Sequence, residues 1–253
     1  MVWFPEPEQF RADQLAVMAT EVTGGDLHVA IAPSPIWLDD NEAAAANAAL
    51  AETQARYSGS PDNPDEPDFR ELAELLTSPQ QARFGWIAYP ENGTRLGVLT
   101  AASRWFGLIA VREDDHIYVR TFKDDKLSRV LTAVLPEWWK SHEQPISVLR
   151  SDFLAAKEDV PGAVAPDREV RRAQRVSALS PHVIGEFYAE SRDQQGRRRV
   201  SKEPLRVYDN DEGRWTMKVT QIPGDERVFL APAGDEDVTR ALDELRRELA
   251  ETR

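Results

Sequence analysis

The apolar positions change period several times along the chain, and each change predicts an element. Between 7 and 22, Phe10, Leu15, Val17, Met18 and Val22 recur at loosely helical spacing and stop at Gly24-Gly25, which predicts a helix. Residues 27–32 (LHVAIA) alternate as a strand does and are closed by Pro33 and Pro35. An Ala-rich helix over 42–57 follows Asp39 and Asp40, whose charge suits the positive N-terminal end of a helix. The run 58–67 (SGSPDNPDEP) is rich in proline and small polar residues and reads as a loop. Asp68 then caps a short helix that puts Phe69, Leu72, Leu75 and Leu76 on one face.

Strand periodicity takes over at Phe84. Strands over 84–89 and 95–101 flank Asn92-Gly93, a strong two-residue hairpin signal. Strands over 105–112 and 116–122 turn through Glu113, Asp114 and Asp115. Asp124 or Asp125 caps a helix striped by Leu127, Val130, Leu131, Val134 and Trp138. The plan then recurs. A short apolar strand over 146–149 precedes helical sequence over 151–180, strands over 186–191, 205–209, 214–220 and 228–231, and a helix from Asp235. The stripe of that helix (Val238, Ala241, Leu242, Leu245, Leu249) falls on the earlier one without a gap.

This pattern predicts two copies of one plan, offset by roughly a hundred residues. The boundaries are an N-terminal half over 1–140 and a C-terminal half over 141–253, forming one compact pseudo-symmetric domain of α/β (α+β) class. Common β-meander architecture without duplication is the alternative.

Composition narrows the function. The 253 residues carry 44 acidic and 31 basic side chains, a formal charge of −13, with 41% hydrophobic residues and no cysteine. Disulfides, Cys-ligated zinc, Fe–S clusters and thiol nucleophiles are thereby excluded. Residues 1–10 lack the basic region of a secretory signal, and no apolar run approaches the ~18 residues of a membrane span. Net acidity argues against nucleic acid and anionic lipid as partners. The expectation is a cytoplasmic protein.

No catalytic constellation emerges. The four histidines, His28, His116, His142 and His182, show no H-E-x-x-H spacing. His28 and His116 fall in predicted strands, where packing is their expected role. Residues 209–213 (DNDEG) miss the calcium-loop pattern. Gly213 falls at loop position five where six is needed, and Thr220 stands at position twelve in place of a bidentate Glu, so the run reads as a tight turn between Val207 and Trp215. Asp62, Asp65, Glu66 and Asp68 read as a solvated linker. Neither phosphate-binding glycine motif nor G-x-S-x-G is present. No catalytic residue, metal or cofactor is expected. The basic loop Gly196-Arg197-Arg198-Arg199, near Arg192, Lys202 and Arg206, is expected to answer acidic side chains on its own surface or on a partner. Of the tryptophans, Trp86, Trp105 and Trp215 are expected in the core. Trp138-Trp139 ends a predicted helix, and one of the two is a candidate interface anchor.

Several stretches resemble the EspG family of actinobacterial type VII (ESX) secretion proteins. They are 97–111 (GVLTAASRWFGLIAV), 115–122 (DHIYVRTF), 133–136 (AVLP), 185–193 (GEFYAESRD), 196–199 (GRRR), Pro204, Asp209, 212–215 (EGRW) and 230–234 (LAPAG). The resemblance runs along nearly the whole chain and is weakest over the first forty residues. It implies a central antiparallel sheet flanked by two helical bundles with pseudo-two-fold symmetry. It also implies a non-enzymatic cytosolic chaperone that shields the helical tip of a PPE protein in a PE–PPE pair before export.

Two regions would carry that contact. One is the loop between the first two strands of the first meander, here Pro90, Glu91, Asn92, Gly93 and Arg95. The other is the C-terminal helical bundle, here about 151–180, with Phe153, Leu154, Val170, Val176 and Leu179 spaced as one helical face able to line an apolar groove. The loop is shorter than in mycobacterial members, which points to a different, shorter or non-PPE client. Packing of those five side chains against the sheet is the competing reading. The alternatives in function are an enzyme on an α/β scaffold using carboxylates that spacing does not single out, and a dimeric scaffold protein. A homodimer is left open. A chaperone should expose an apolar groove, whereas an enzyme should hold a pocket with a perturbed titratable group.

Overall fold

The computed structural model describes residues 6–34, 40–56, 68–104, 106–123, 126–155, 166–193 and 195–251. In chain order the first elements are β1 (Glu8–Arg11), α1 (Ala12–Thr23), α2 (Asp40–Arg56), α3 (Phe69–Thr77), β2 (Gln81–Tyr89), β3 (Thr94–Ala102), β4 (Gly107–Glu113), β5 (His116–Phe122) and α4 (Leu127–Thr132). They are followed by β6 (Ile146–Leu149), α5 (Arg150–Ala155), α6 (Arg168–Ser177), β7 (Val183–Arg192), β8 (Arg198–Val200), β9 (Leu205–Asn210), β10 (Gly213–Ile222), β11 (Asp225–Pro232) and α7 (Asp235–Glu251).

Short reverse turns between successive strands dictate antiparallel pairing. The result is an 11-stranded sheet ordered β1-β5-β4-β3-β2-β7-β9-β10-β11-β6, with β8 paired to β7 off this path. At its middle, β2 and β7 pair antiparallel from Gln81↔Ser191 to Ala88↔Ile184. Residues opposite each other on neighbouring strands share a face, so the register sorts the core into layers. Ala82, Phe84, Leu99, Ala101, Leu108 and Ala110 point to one face, under α1 and α3. Trp215, Leu230, Ile146 and Val148 continue that face at the far end, under α6. On the opposite face, Ile87, Val98, Ile109, Phe187 and Val207 pack against Leu131 of α4 and the Val238, Leu242, Leu245 and Leu249 stripe of α7. The chain is thus an antiparallel sheet with helices on both faces.

Local sequence explains most boundaries. Asp68 accepts the Glu71 N–H at 2.9 Å while Glu71 accepts the Asp68 N–H at 3.2 Å, a capping box that contributes about 1 kcal/mol to α3. Gly24, at φ 73°, ends α1 with its N–H on Thr20 O. Asp167 caps α6 by accepting the Glu169 N–H.

Four expectations need correction. Glu8–Arg11 is a strand, not the start of a helix: it pairs with β5 from Glu8↔Val119 to Arg11↔His116, and α1 begins only at Ala12. The 27–32 segment is a turn, not a strand. His28 N–H donates to Leu76 O at 2.8 Å, and the Ile31 and Ala32 N–H groups both donate to His28 O at 2.9 Å. The free edge of β5 is already taken by β1, so this segment plugs the core with Leu27, His28, Ala30 and Ile31. Asn92-Gly93 does not make a two-residue hairpin, because Tyr89 pairs with Thr94 and leaves Pro90, Glu91, Asn92 and Gly93 as a four-residue loop. Finally, α4 ends at Thr132, short of Val134 and Trp138. The Val134 and Leu135 N–H groups close a tight 3₁₀-type turn on Leu131 O and Thr132 O, Pro136 follows, and Trp138 and Trp139 lie outside any helix or strand.

Of the other assignments, Pro35, Asp39, 57–67, Trp105, Asp124 and Asp125 lie outside the described residues. Lys126 precedes α4 without a side-chain cap. Trp215 is fully buried and Trp86 partly so. The basic loop is answered by its own surface: Arg197 binds Asp193 at 2.7 Å, Arg198 binds Glu190 at 2.8 Å and Arg206 binds Glu186 at 3.0 Å. Among the described residues no helix is long and apolar enough to cross a membrane.

Candidate partner-binding surface

Antiparallel order brings the β2–β3 loop, the start of β7 and the β9–β10 turn to one end of the sheet. The loop is exposed at Pro90, Glu91, Asn92 and Gly93. It is shaped from within: Asn92 Oδ1 accepts the Thr94 N–H at 2.9 Å, and Gly93 at φ 75° supplies the left-handed step that a side chain resists. Arg95, also exposed, lays its guanidinium over the Trp86 ring, 5.3 Å from the centroid.

His182, just ahead of β7, ties this loop to its neighbours. Its Nδ1 lies 2.5 Å from Glu91 Oε1 and its Nε2 lies 2.8 Å from Asp211 Oδ1. Both ring nitrogens face acceptor-only carboxylates, and only the imidazolium can donate from both. The Asp211 bond first and the Glu91 bond second push His182 above its ordinary value of 6.5. The β9–β10 turn carries Asp211 and, one residue on, Glu212, which pairs with Arg175 of α6. Arg175 also binds Glu143 at 2.9 Å, and Arg172 binds Glu143 at 3.1 Å. These bonds, that of Arg172 first, hold Glu143 below the usual carboxylate range. A chain of ion pairs therefore runs from the β2–β3 loop through His182 and the β9–β10 turn to α6.

Trp139 stands beside this chain, 51% exposed. It stacks on Trp138 with centroids 4.8 Å apart, and Trp138 lies 5.4 Å from His182. Trp138 Nε1–H donates to Asn210 O at 3.1 Å, and the Arg214 N–H donates to Trp139 O at 2.7 Å. The outer indole is thus presented on a fixed backbone, a rigid apolar plate of the kind that anchors interfaces.

The helical residues divide. Val170 and Val176, at 5% and 6% exposure, pack with Trp215, Ile146 and Val148, so for these two the open-groove expectation is corrected: their face of α6 is spent on the sheet. Phe153 is half-buried against the same cluster, Leu179 is half-buried past the end of α6, and Leu154 is 49% exposed on α5. The other exposed large apolar side chains among the described residues are Phe229, on β11, and Val29, in the 27–32 turn. The five helical positions do not line one groove. His182, Asp211, Glu212 and Arg175 were not singled out by sequence, because their partners lie far apart in the chain. The only local signal was the 209–213 turn, which reads as a turn and nothing more.

The described residues place no three His, Asp or Glu side chains together as a metal site.

No curated protein sequence matches the chain. Among solved structures it is similar to the Mycobacterium tuberculosis type VII secretion system chaperone EspG5, determined in complex with a PE25–PPE41 dimer. The TM-score is 0.65 at 15% identity, over 96% of this chain and 97% of that one. That likeness is one of fold: a large antiparallel sheet with helices on it. A profile of the EspG family matches residues 11–244, and the chain belongs to the EspG family.

Proposed function

We propose that this protein is a non-enzymatic cytosolic chaperone of a type VII secretion system, holding a helical client of the PE–PPE kind before export. The observation that carries the reading is family membership over residues 11–244, joined to a surface suited to the task. That surface combines the exposed loop Pro90, Glu91, Asn92, Gly93 and Arg95 with the Trp139 plate, and the exposed Leu154, on the helix that starts beside the β10–β11 turn, is read as a separate contact. An apolar helix tip laid on the indole would be rimmed by Glu91, Asp211 and Arg95, an apolar centre within a polar ring. Preorganisation supports it, since the ion-pair chain fixes loop and helix relative to each other before binding. The four-residue loop offers little reach, which favours a client with a compact tip. Val170 and Val176 act from behind, seating α6 on the sheet. The halves 1–140 and 141–253 are read as one plan used twice.

The test is co-expression with a PE–PPE pair encoded by the same genome, read by size exclusion and titration calorimetry. The expected result is a stoichiometric complex, weakened by about tenfold or more in Trp139→Ala, as for an interface anchor. Separate elution of a folded wild-type protein from every such pair would overturn the reading.

A further inference from the structure

A cleft of about 1180 Å³ opens where the C-terminal end of α3, the start of α4 and the last turns of α7 meet at the strand ends. Its lining inverts the charge of the molecule. Among the described residues that line it, seven Arg and Lys side chains face three carboxylates, in a chain whose formal charge is −13. Two of those carboxylates are already engaged: Glu71 in the capping box of α3, and Asp243 by the Ser128 hydroxyl at 2.6 Å.

At the floor sits Arg83. It is 2% exposed, yet among the described residues its one hydrogen bond runs from Nη1 to Ala82 O at 2.8 Å, and its Nε is covered with no acceptor. Burial first, and the Arg246 charge second, push this guanidinium down to about 10. A buried cation repelled by another cation, and offset only in part by the charge of Asp243, is costly unless something negative arrives. It has no part in the proposed client surface.

We propose that this cleft binds a small, multiply charged phosphate compound, with Arg83 and Arg246 gripping its oxygens. Among the described residues that line the cleft none is aromatic, so the recognition they offer rests on charge and hydrogen bonds rather than on stacking of a base. The volume lies at the upper end for ligand sites and exceeds what a single phosphate fills, which favours a polyphosphate chain. The inference stands independently of the chaperone reading.

The test is titration calorimetry and thermal denaturation of the full chain with inorganic tripolyphosphate at fixed ionic strength, with citrate as a carboxylate comparison. Wild type is expected to bind saturably and to melt higher. Arg83→Met and Arg246→Gln are expected to bind about tenfold more weakly or worse, as the loss of a charge-assisted bond requires. Arg171→Gln, exposed on α6, a helix that contributes no residue to the cleft, should bind as wild type does. Arg246 is exposed on α7, so its variant keeps the test decisive even where Arg83→Met fails to fold. The proposal is overturned by absence of saturable binding, by equal stabilisation from sodium chloride of matched ionic strength, or by unchanged binding in Arg246→Gln. Tighter binding of citrate than of tripolyphosphate would overturn the phosphate assignment.

Discussion

Arg214 and Asp209 meet as a fully buried bidentate pair, Nε to Oδ1 at 2.7 Å and Nη2 to Oδ2 at 2.8 Å, each side chain with no exposed surface. The same guanidinium donates to Pro136 O at 2.6 Å and to Asp235 Oδ1 at 2.5 Å. One side chain on β10 thus holds β9, the segment after α4 and the first turn of α7.

Removing either partner strands a buried charge. Arg214→Met and Asp209→Asn are each expected to destabilise the fold by about 3–5 kcal/mol, and replacing both with apolar residues by less than the two single losses combined. Urea unfolding followed by circular dichroism checks this; a loss under about 1 kcal/mol in both single variants would show the pair to be dispensable.

Gly97 admits the 27–32 turn onto the sheet. A Cβ there would lie 1.8 Å from Ala30 O, a backbone atom that cannot swing aside. Gly97→Ala is expected to destabilise by about 1–3 kcal/mol through overpacking, measured by the same unfolding experiment. Gly196→Ala, at a position with open space but φ 76°, should cost less.

The His182 bonds imply a defined pH response. The folded-state value is raised, so the stabilising contribution is fully present below the unfolded value and is lost as pH rises through the folded one. An NMR titration of the ring protons should place His182 above 6.5, with Asp211→Asn returning it towards that value. Amide exchange at Glu91, Asn92 and Gly93 should quicken across the same window in wild type by more than it does in Asp211→Asn, where base catalysis alone speeds it. A His182 midpoint at or below 6.5 would contradict the geometry.

Exposed and buried apolar positions on the helical pair should separate cleanly. Val176→Ala removes packing against Trp215 and its neighbours and is expected to cost about 1–3 kcal/mol of stability. Leu154→Ser, at 49% exposure, should change stability by less than about 0.5 kcal/mol while weakening client binding. Thermal melts together with client titration distinguish the two.

How much of this was legible in the sequence follows from how local each feature is. The stripe of α7 and the caps of α3 are short-range patterns, and the strands from β2 to β5 and from β9 to β11 alternate clearly enough to be read directly. β1 was missed because Phe10 suits a helix stripe as well as an edge strand, and only the free edge of β5 decides between them. The turn at 27–32 imitates a strand because its apolar residues plug a cavity rather than line a sheet face. Arg214 and Asp209 stand five residues apart across a hairpin and look like ordinary turn charges. The cleft around Arg83 gathers side chains from α3, β2, α4 and α7, so no window of sequence displays it.

The pairing of β2 with β7 has a consequence for how the molecule holds together. Residues before 133 supply β1 to β5, residues after 145 supply β6 to β11, and this ladder joins them with partners roughly a hundred residues apart. A covalent connection turns that docking into a unimolecular event at high effective concentration, so the ladder closes however dilute the protein is. Severing the chain between 133 and 145 would make the same ladder a bimolecular equilibrium. Each fragment would then carry an open strand edge, and its melting temperature would rise with protein concentration.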